Sequence, residues 1–321
     1  MNVAVVRTRH STQSVQAIED RCLRDTFLQC DNVWLKQQHL FPQPCELVAH
    51  VEGLWRHGSM LLSVDIPRED MHDTYAFDMG IYSYNVCLIS TEDNGANEFI
   101  TSVSQQHYVS ILCVQEAENP QVPMIGTEIP LQCGYVWLKP ACGGSLKRLG
   151  AFVHPELWRS LIGYASTDRV LSMAFEIDAT CMLMLSNMHM PYENAIYETE
   201  LEAANTFHKQ SKKRFASMMS QKPRILEILV GDFNAELGTL NTQQEHHVIQ
   251  NDLIGPYAYG NRNVRGDALA NLMHRQALHA PHTFSDQNFN YTFTHWRTLR
   301  QKFIDHALVH KDAQMYVEKT M

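Results

Sequence analysis

The sequence predicts a layered α/β protein with its sheets in the interior, and three observations lead there. From residue 80 onward the chain breaks into short apolar runs separated by polar loops. These runs are apolar at odd and even positions alike, so both faces of each strand must be covered. Two stretches of helical periodicity, one short and one long, lie among them.

Taken in order, strands are expected at "GIYSYNVCL" (80–88), "YVSILCVQ" (108–115), "YVWLK" (135–139), "LGAFVH" (149–154), "RVLSMAFEI" (169–177), "CMLMLSNMH" (181–189), "RILEILVGD" (224–232) and "KFIDHALVH" (302–310). The short helix is "ANEFITSVSQQ". The long one begins "ENAIYETELEAANTF", with Ile196, Tyr197, Leu201, Ala204, Phe207, Phe215 and Met218 near a 3.6-residue period. Residues 1–78 have a different texture. "SVQAIEDRCLRDTFLQ" and "CELVAHVEGLWRH" are helical in period and carry no evident chemistry, so 1–78 is expected to be a helical N-terminal appendage or linker and 79–321 the layered α/β domain.

Composition bounds the function. The chain has 321 residues, 45% hydrophobic and 19% charged, enough for one large domain or a domain plus an appendage. Lys+Arg 26 against Asp+Glu 35 gives a net charge of −9, which argues against a broadly basic nucleic-acid surface. A polyanionic substrate would have to be gripped locally, with a metal ion. The 8 cysteines stand singly, without Cys-x-x-Cys spacing, and are expected to be buried thiols in a reducing compartment. "MNVAVVRTRHSTQ" fits neither a signal peptide nor a membrane span, so a nuclear or cytoplasmic protein without a membrane partner is expected.

The chemistry concentrates where strands end. Asn85 closes the first strand, Gln115 and Glu116 the second, Asn187 and His189 lie in "LSNMHMP", Asp232 and Asn234 in "VGDFN", and Asp305 in "FIDH". Strand ends are rigid, and neighbouring strands can bring such groups to one mouth. Each also has an ordinary reading: a solvated strand end for Glu116, a hydrogen-bonded structural ring for His189, a turn for Gly-Asp-Phe-Asn. Asp305 is less ordinary, because an unpaired carboxylate within an apolar strand is costly.

As an ordered set, "SYNVCL", "ILCVQE", "SNMHMP", "VGDFNAELG" and "FIDHALV" resemble the motifs of the endonuclease/exonuclease/phosphatase superfamily over about residues 80 to 310. "IGPYAYGNRNVRGDALANLM", with Asn263, Gly266 and Leu269, and "TFSDQNFNYTFTHW" resemble the corresponding segments of non-LTR retrotransposon endonucleases. The resemblance implies a four-layer α/β sandwich, two packed mixed β-sheets flanked by helices. It implies Mg²⁺ (or Mn²⁺) held by Glu116 with Asn85, and His189, Asp232, Asn234 and Asp305 as catalytic residues. Asp232 would activate water, Asn234 would donate to a phosphate oxygen, and His189 would contact the phosphate or protonate the leaving oxygen. In an extended chain Asp232 and Asn234 would point the same way, with Phe233 turned inward as an anchor. Lys147, Arg148 and Arg169 are candidates for steering a longer substrate, against the ordinary reading of solvated charges.

The superfamily usually ends in a further strand with Ser-Asp-His, whose His pairs with the late Asp. This chain ends in "HKDAQMYVEKTM", so the domain is expected to lack that strand and to turn over slowly. His306 and His310, an odd number of residues from Asp305, should face away from it, and His295 could reach the site from the preceding loop. The expected function is a metal-dependent phosphodiester hydrolase of retroelement endonuclease type acting on DNA. Two alternatives stand beside it: a phosphatase of inositol phosphates or another small phosphate ester, and a catalytically inactive binding module.

Overall fold

The protein is described by a computed structural model at residues 60–66, 77–86, 95–105, 108–117, 127–139, 149–238, 253–258, 260–284, 292–294 and 301–320. The expected helices of residues 1–59 lie outside these, as do His295, Lys147 and Arg148.

Two mixed sheets pack face to face. The first contains β1 (Met60–Ile66), β2 (Phe77–Asn85), β3 (Ile111–Gln115), β4 (Thr127–Pro130), β5 (Val136–Lys139) and β6 (Gly150–Val153). The second is built from β7 (Leu161–Ser166), β8 (Val170–Asp178), β9 (Cys181–His189), β10 (Arg224–Asp232), β11 (Leu278–His279) and, beyond a two-stranded ribbon of β12 (Phe293–Thr294) and β13 (Gln301–Lys302), β14 (Asp305–His310). A last strand, β15 (Val317–Thr320), returns to the first sheet. The strand orders are β15-β1-β2-β3-β6-β5-β4 and β11-β14-β10-β9-β8-β7.

Parity explains the packing. Met79 and Ile81 of β2, Ile111 and Cys113 of β3, Leu183 and Leu185 of β9, Ile228 and Val230 of β10, and Ala307 and Val309 of β14 alternate onto the inner faces and form one core between the sheets. The intervening residues face outward onto helices. Tyr82, Tyr84, Leu112 and Val114 meet α1 (Gly95–Ser104), whose Ala96, Phe99, Ile100 and Val103 recur at helical spacing and are buried. Burying Phe99, Ile100 and Val103 stabilises this layer by about 1.5–3 kcal/mol each.

After the single-turn α2 (Pro155–Trp158), the second sheet is covered by α3 (Asn194–Ala216) and α4 (Val264–Gln276). Tyr197, Leu201 and Ala204 of α3 and Leu269, Leu272 and Met273 of α4 share a core with Met188 and Leu229. The architecture is therefore helix, sheet, sheet, helices: the expected four-layer sandwich.

The strands expected at 181–189 and 224–232 match β9 and β10 residue for residue. The first sheet, however, reaches back to Met60, ahead of the expected boundary at 79. β1 pairs antiparallel with Phe77 to Ser83 of β2, so most of the flank of that strand is covered, up to two residues short of Asn85. A strand does follow β14, β15, without a Ser-Asp-His sequence. Cys113 is a buried free thiol, and Cys181 is buried as well. Among the described residues no helix is long and apolar enough to cross a membrane.

Candidate active site

The ends of β2, β3, β9 and β10 and the start of β14 lie together because neighbouring strands run in register. Asn85 pairs with Gln115 across β2 and β3. Asp232 pairs with His189 on one side and Asp305 on the other. By parity Asn85, His189, Asp232 and Asp305 all belong to the inner faces, so both sheets feed one mouth.

Glu116 is the exception. Its even number puts it in line with Leu112 and Val114, which face α1, yet its carboxylate reaches the site. The reversal comes at Glu116 itself, where the backbone leaves β3 with φ 55, the left-handed region.

At the centre is one amide between two acids. Asn85 Nδ2 donates to Glu116 Oε1 at 3.3 Å and to Asp232 Oδ2 at 3.1 Å. His189 Nε2 stands 3.7 Å from Glu116 Oε1. The other Asp232 oxygen, Oδ1, accepts the backbone N–H of Asn234 at 2.9 Å. Burial pushes the Asp232 carboxyl above the usual carboxylate range and the Glu116 charge adds to this, against the pull of His189, the Asn234 N–H and Asn85. Asp305 is pushed up further, first by burial and then by the charge of Asp232, while a hydrogen bond from Thr292 opposes the rise. The Thr292 hydroxyl also accepts the N–H groups of Ile304 and Asp305, each at 3.1 Å, and so seats the start of β14.

Asn234 departs from the extended geometry expected of it. The strand stops at Asp232, and Asn234 takes φ 48. Its Nδ2 donates to the Met190 carbonyl at 2.9 Å, so it holds the end of β9 to the loop instead of running parallel to Asp232. Asn tolerates this conformation better than most residues. Phe233 between them is fully buried against the helices, as an anchor should be.

The turn is possible because Gly231 precedes it. A Cβ there would lie 1.9 Å from the Met188 carbonyl oxygen, and φ is +140, a region L side chains rarely adopt.

Gln115 and Asn187, the other polar strand ends, lie deeper and join the sheets. Gln115 Nε2 donates to Asn187 Oδ1 at 2.6 Å and to Ser83 Oγ at 3.0 Å. Asn187 Nδ2 donates to the carbonyls of Val114 and Gly150 at 2.9 and 3.1 Å. Arg169 is engaged too: Nε lies 3.6 Å from Glu200 and a guanidinium N–H reaches the His189 carbonyl at 3.5 Å.

The loop after Asn234 is clasped by the segment "NRNVRG". Asn263 Nδ2 donates to Glu236 Oε1 at 3.1 Å, while its Oδ1 accepts Gly266 N–H at 2.7 Å as the cap of α4. Lys302 pairs with the same Glu236 oxygen at 3.0 Å. Gly266 must lack a side chain, since a Cβ would meet the Glu236 carbonyl oxygen at 1.9 Å. Thr292, Glu236 and Lys302 were not legible as site supports, because their partners lie far along the chain.

Fold and site together define a class: a two-sheet α/β sandwich with carboxylates, amides and an imidazole gathered at one end of both sheets. No protein-family model matches the chain, and no curated protein matches it. Among solved structures it is similar to an AP endonuclease from Leishmania major, at 12% identity over 72% of this chain and 79% of that one, with a TM-score of 0.48. It is also similar to an AP endonuclease from Archaeoglobus fulgidus (15% identity, 74% and 88% covered, TM-score 0.43). A third is a 3'-5' exonuclease from Neisseria meningitidis (15% identity, 73% and 88% covered, TM-score 0.41).

Proposed function

We propose that the chain is a divalent-metal-dependent phosphodiester hydrolase of the endonuclease/exonuclease/phosphatase type, a DNA endonuclease of retroelement kind. The observation that carries this reading is the Asn85 amide bridging Glu116 and Asp232, carboxylates from different sheets, at 3.3 and 3.1 Å.

The donor set suits a hard cation. Among the described residues no group of three or more His, Cys, Asp or Glu could hold a metal ion by itself. Mg²⁺ does not need such a cage, because it keeps several waters and takes one or two carboxylates plus substrate phosphate. Burial raises the Asp232 and Asp305 carboxyls first, and the charges of Glu116 on Asp232 and of Asp232 on Asp305 add a repulsion that a cation would relieve. Glu116 would be the principal ligand, with the Asn85 amide beside it. The bound ion would neutralise charge growing on the phosphate oxygens.

The chain's own residues do the rest. Asp232, fixed at Oδ2 by Asn85 and at Oδ1 by the Asn234 N–H, orients and deprotonates the attacking water; its elevated proton affinity makes it a better base than an exposed aspartate. His189, facing Glu116 at the same mouth, contacts the phosphate or protonates the leaving oxygen. Asp305, directly across from Asp232, shares the proton load of the pair.

The test is nicking of supercoiled plasmid in Mg²⁺. Asp232→Asn should lower the rate by about 100-fold or more, as loss of a catalytic base does, and Glu116→Gln should lower it by weakening the hold on the cation. Equal nicking by wild type and both variants would mark contamination and sink the assignment. Hydrolysis of inositol phosphates without nicking would move the substrate to small phosphate esters. Turnover of neither, in Mg²⁺ or Mn²⁺, would overturn the enzymatic reading in favour of a binding module.

A further inference from the structure

His306 follows Asp305 on β14 and faces the other way, into the layer beneath the Asp232–Ala235 loop. It is buried, and its Nε2 lies 2.8 Å from the Ala235 carbonyl oxygen. A carbonyl only accepts, so the hydrogen is on Nε2 and in the neutral ring Nδ1 presents a lone pair. Nδ1 faces His282 Nε2 at 3.3 Å, which makes His282 the donor of that contact. The Ala235 carbonyl thus sets the tautomer of the His306 ring.

The ring has little freedom to turn. Phe233, Phe303 and His282 surround it at centroid distances of 5.9, 5.5 and 5.3 Å. His282 in turn stacks on Phe303 at 4.8 Å with planes 5° apart. One N–H is therefore presented at one place.

That place matters because of how the loop is held. The Asp232 carbonyl accepts from Met190 N at 2.8 Å and the Phe233 carbonyl from the Tyr197 hydroxyl at 2.9 Å. The Glu236 carbonyl accepts from Asn263 N at 3.3 Å and that of Leu237 from Arg262 Nε at 3.0 Å. Between these pairs lies Asn234 in its left-handed turn, followed by the Ala235 carbonyl on His306. Leaving a buried carbonyl without a donor is costly, so a loop deprived of the imidazole would rotate the Ala235 peptide toward another partner. The N–H of that same peptide, on Glu236, is held by Asn263 Oδ1 at 3.2 Å, so the movement would be taken up on the Asn234 side and would draw the Asn234 N–H off Asp232 Oδ1.

We propose that His306 is a positioning residue: through the Ala235 carbonyl it keeps Asn234 in the turn that aims the Asp232 carboxylate. The activity arm of the test rests on the hydrolase reading above; the spectroscopic arm does not. His306→Phe keeps an aromatic ring and removes the donor, and His306→Gln restores an N–H on a smaller frame. With Mg²⁺ and plasmid, below the unfolding midpoint of each variant, His306→Phe should lower kcat by roughly 10- to 100-fold, the scale of a small misplacement of a reacting group. KM should stay within about two-fold, because the mouth itself is intact. His306→Gln should recover most of kcat. Independently of turnover, the Asn234 backbone amide resonance should move in His306→Phe and return in His306→Gln, and the wild-type ring should show a slowly exchanging Nε2–H.

An unmoved Asn234 amide in His306→Phe, or a wild-type ring protonated on Nδ1 alone, would overturn the proposal. So would equal loss of kcat in Phe and Gln with Asn234 unmoved. If wild type turns over neither plasmid nor inositol phosphates, the hydrolase reading falls, while the resonances still decide the role of His306. If His306→Phe does not fold, the wild-type ring tautomer and the His306→Gln amide shifts decide it.

Discussion

Replacing Glu227 by glutamine tests what holds β10, the strand that ends in Asp232, to the helix behind it. Glu227 lies on the outer face of β10. Its Oε1 is 2.6 Å from His208 Nε2 and its Oε2 accepts from Lys212 Nζ at 2.6 Å, both on α3. The contact continues from His208 Nδ1 to Ser186 Oγ and on to Ser172 Oγ, each step 2.7 Å, so the chain ties three strands to α3. Burial alone would raise the Glu227 carboxyl, but His208 and Lys212 outweigh it and bring it from 4.5 down to about 2. That fall corresponds to about 3 kcal/mol in favour of the ionised group. Lys212 keeps 27% of its side chain exposed and can recover water, so the loss in Glu227→Gln should be about 2–3 kcal/mol, at or just below the range for breaking a buried pair.

For a domain of this size such a loss is a drop of about 5–10 °C in Tm, read by circular dichroism at pH 7.5. The sign with pH follows from the lowered carboxyl. Its contribution is full above 4.5 and disappears as pH falls through about 2, so the gap between wild type and variant should narrow as pH is taken from 5 toward 3. An unchanged Tm at pH 7.5, or a gap of constant size down to pH 3, would refute this account.

Gly231→Ala should be more damaging, since its Cβ would sit 1.9 Å from the Met188 carbonyl oxygen in a backbone region closed to alanine. A loss of about 3 kcal/mol or more is expected, read as a fall in Tm and in soluble yield; wild-type Tm would contradict the turn geometry. His279 and His306 are both held down at about 4 by burial. The unfolded chain then binds more protons between about pH 6.5 and 4, so stability should fall as pH is lowered through that window, by up to about 1.4 kcal/mol per pH unit for each ring. Urea midpoints that stay level from pH 7 to 5 would count against the buried neutral rings.

Much of this protein could be read along the chain. Two-sided apolar runs such as Cys181–His189 can exist only between covering layers, so the layered α/β class followed from local pattern, and the polar ends named the candidates. The alternation of a strand also puts Asp305 and His306 on opposite faces, and they are so placed.

What alternation could not supply were its own interruptions. Glu116 enters the site only because the backbone turns left-handed there, and Asn234 supports Asp232 by the same device, where an extended chain would have set them side by side. Partners separated by 13 to 147 residues, Thr292 with Asp305 or Asn85 with Asp232, were likewise invisible. Period and polarity are properties of neighbours in sequence, and they settle which face a residue takes while the strand lasts. Which carboxylates share an amide, and which imidazole meets the Ala235 carbonyl, depends on sheet order and strand register, and these are decided only when distant segments bury their apolar faces together.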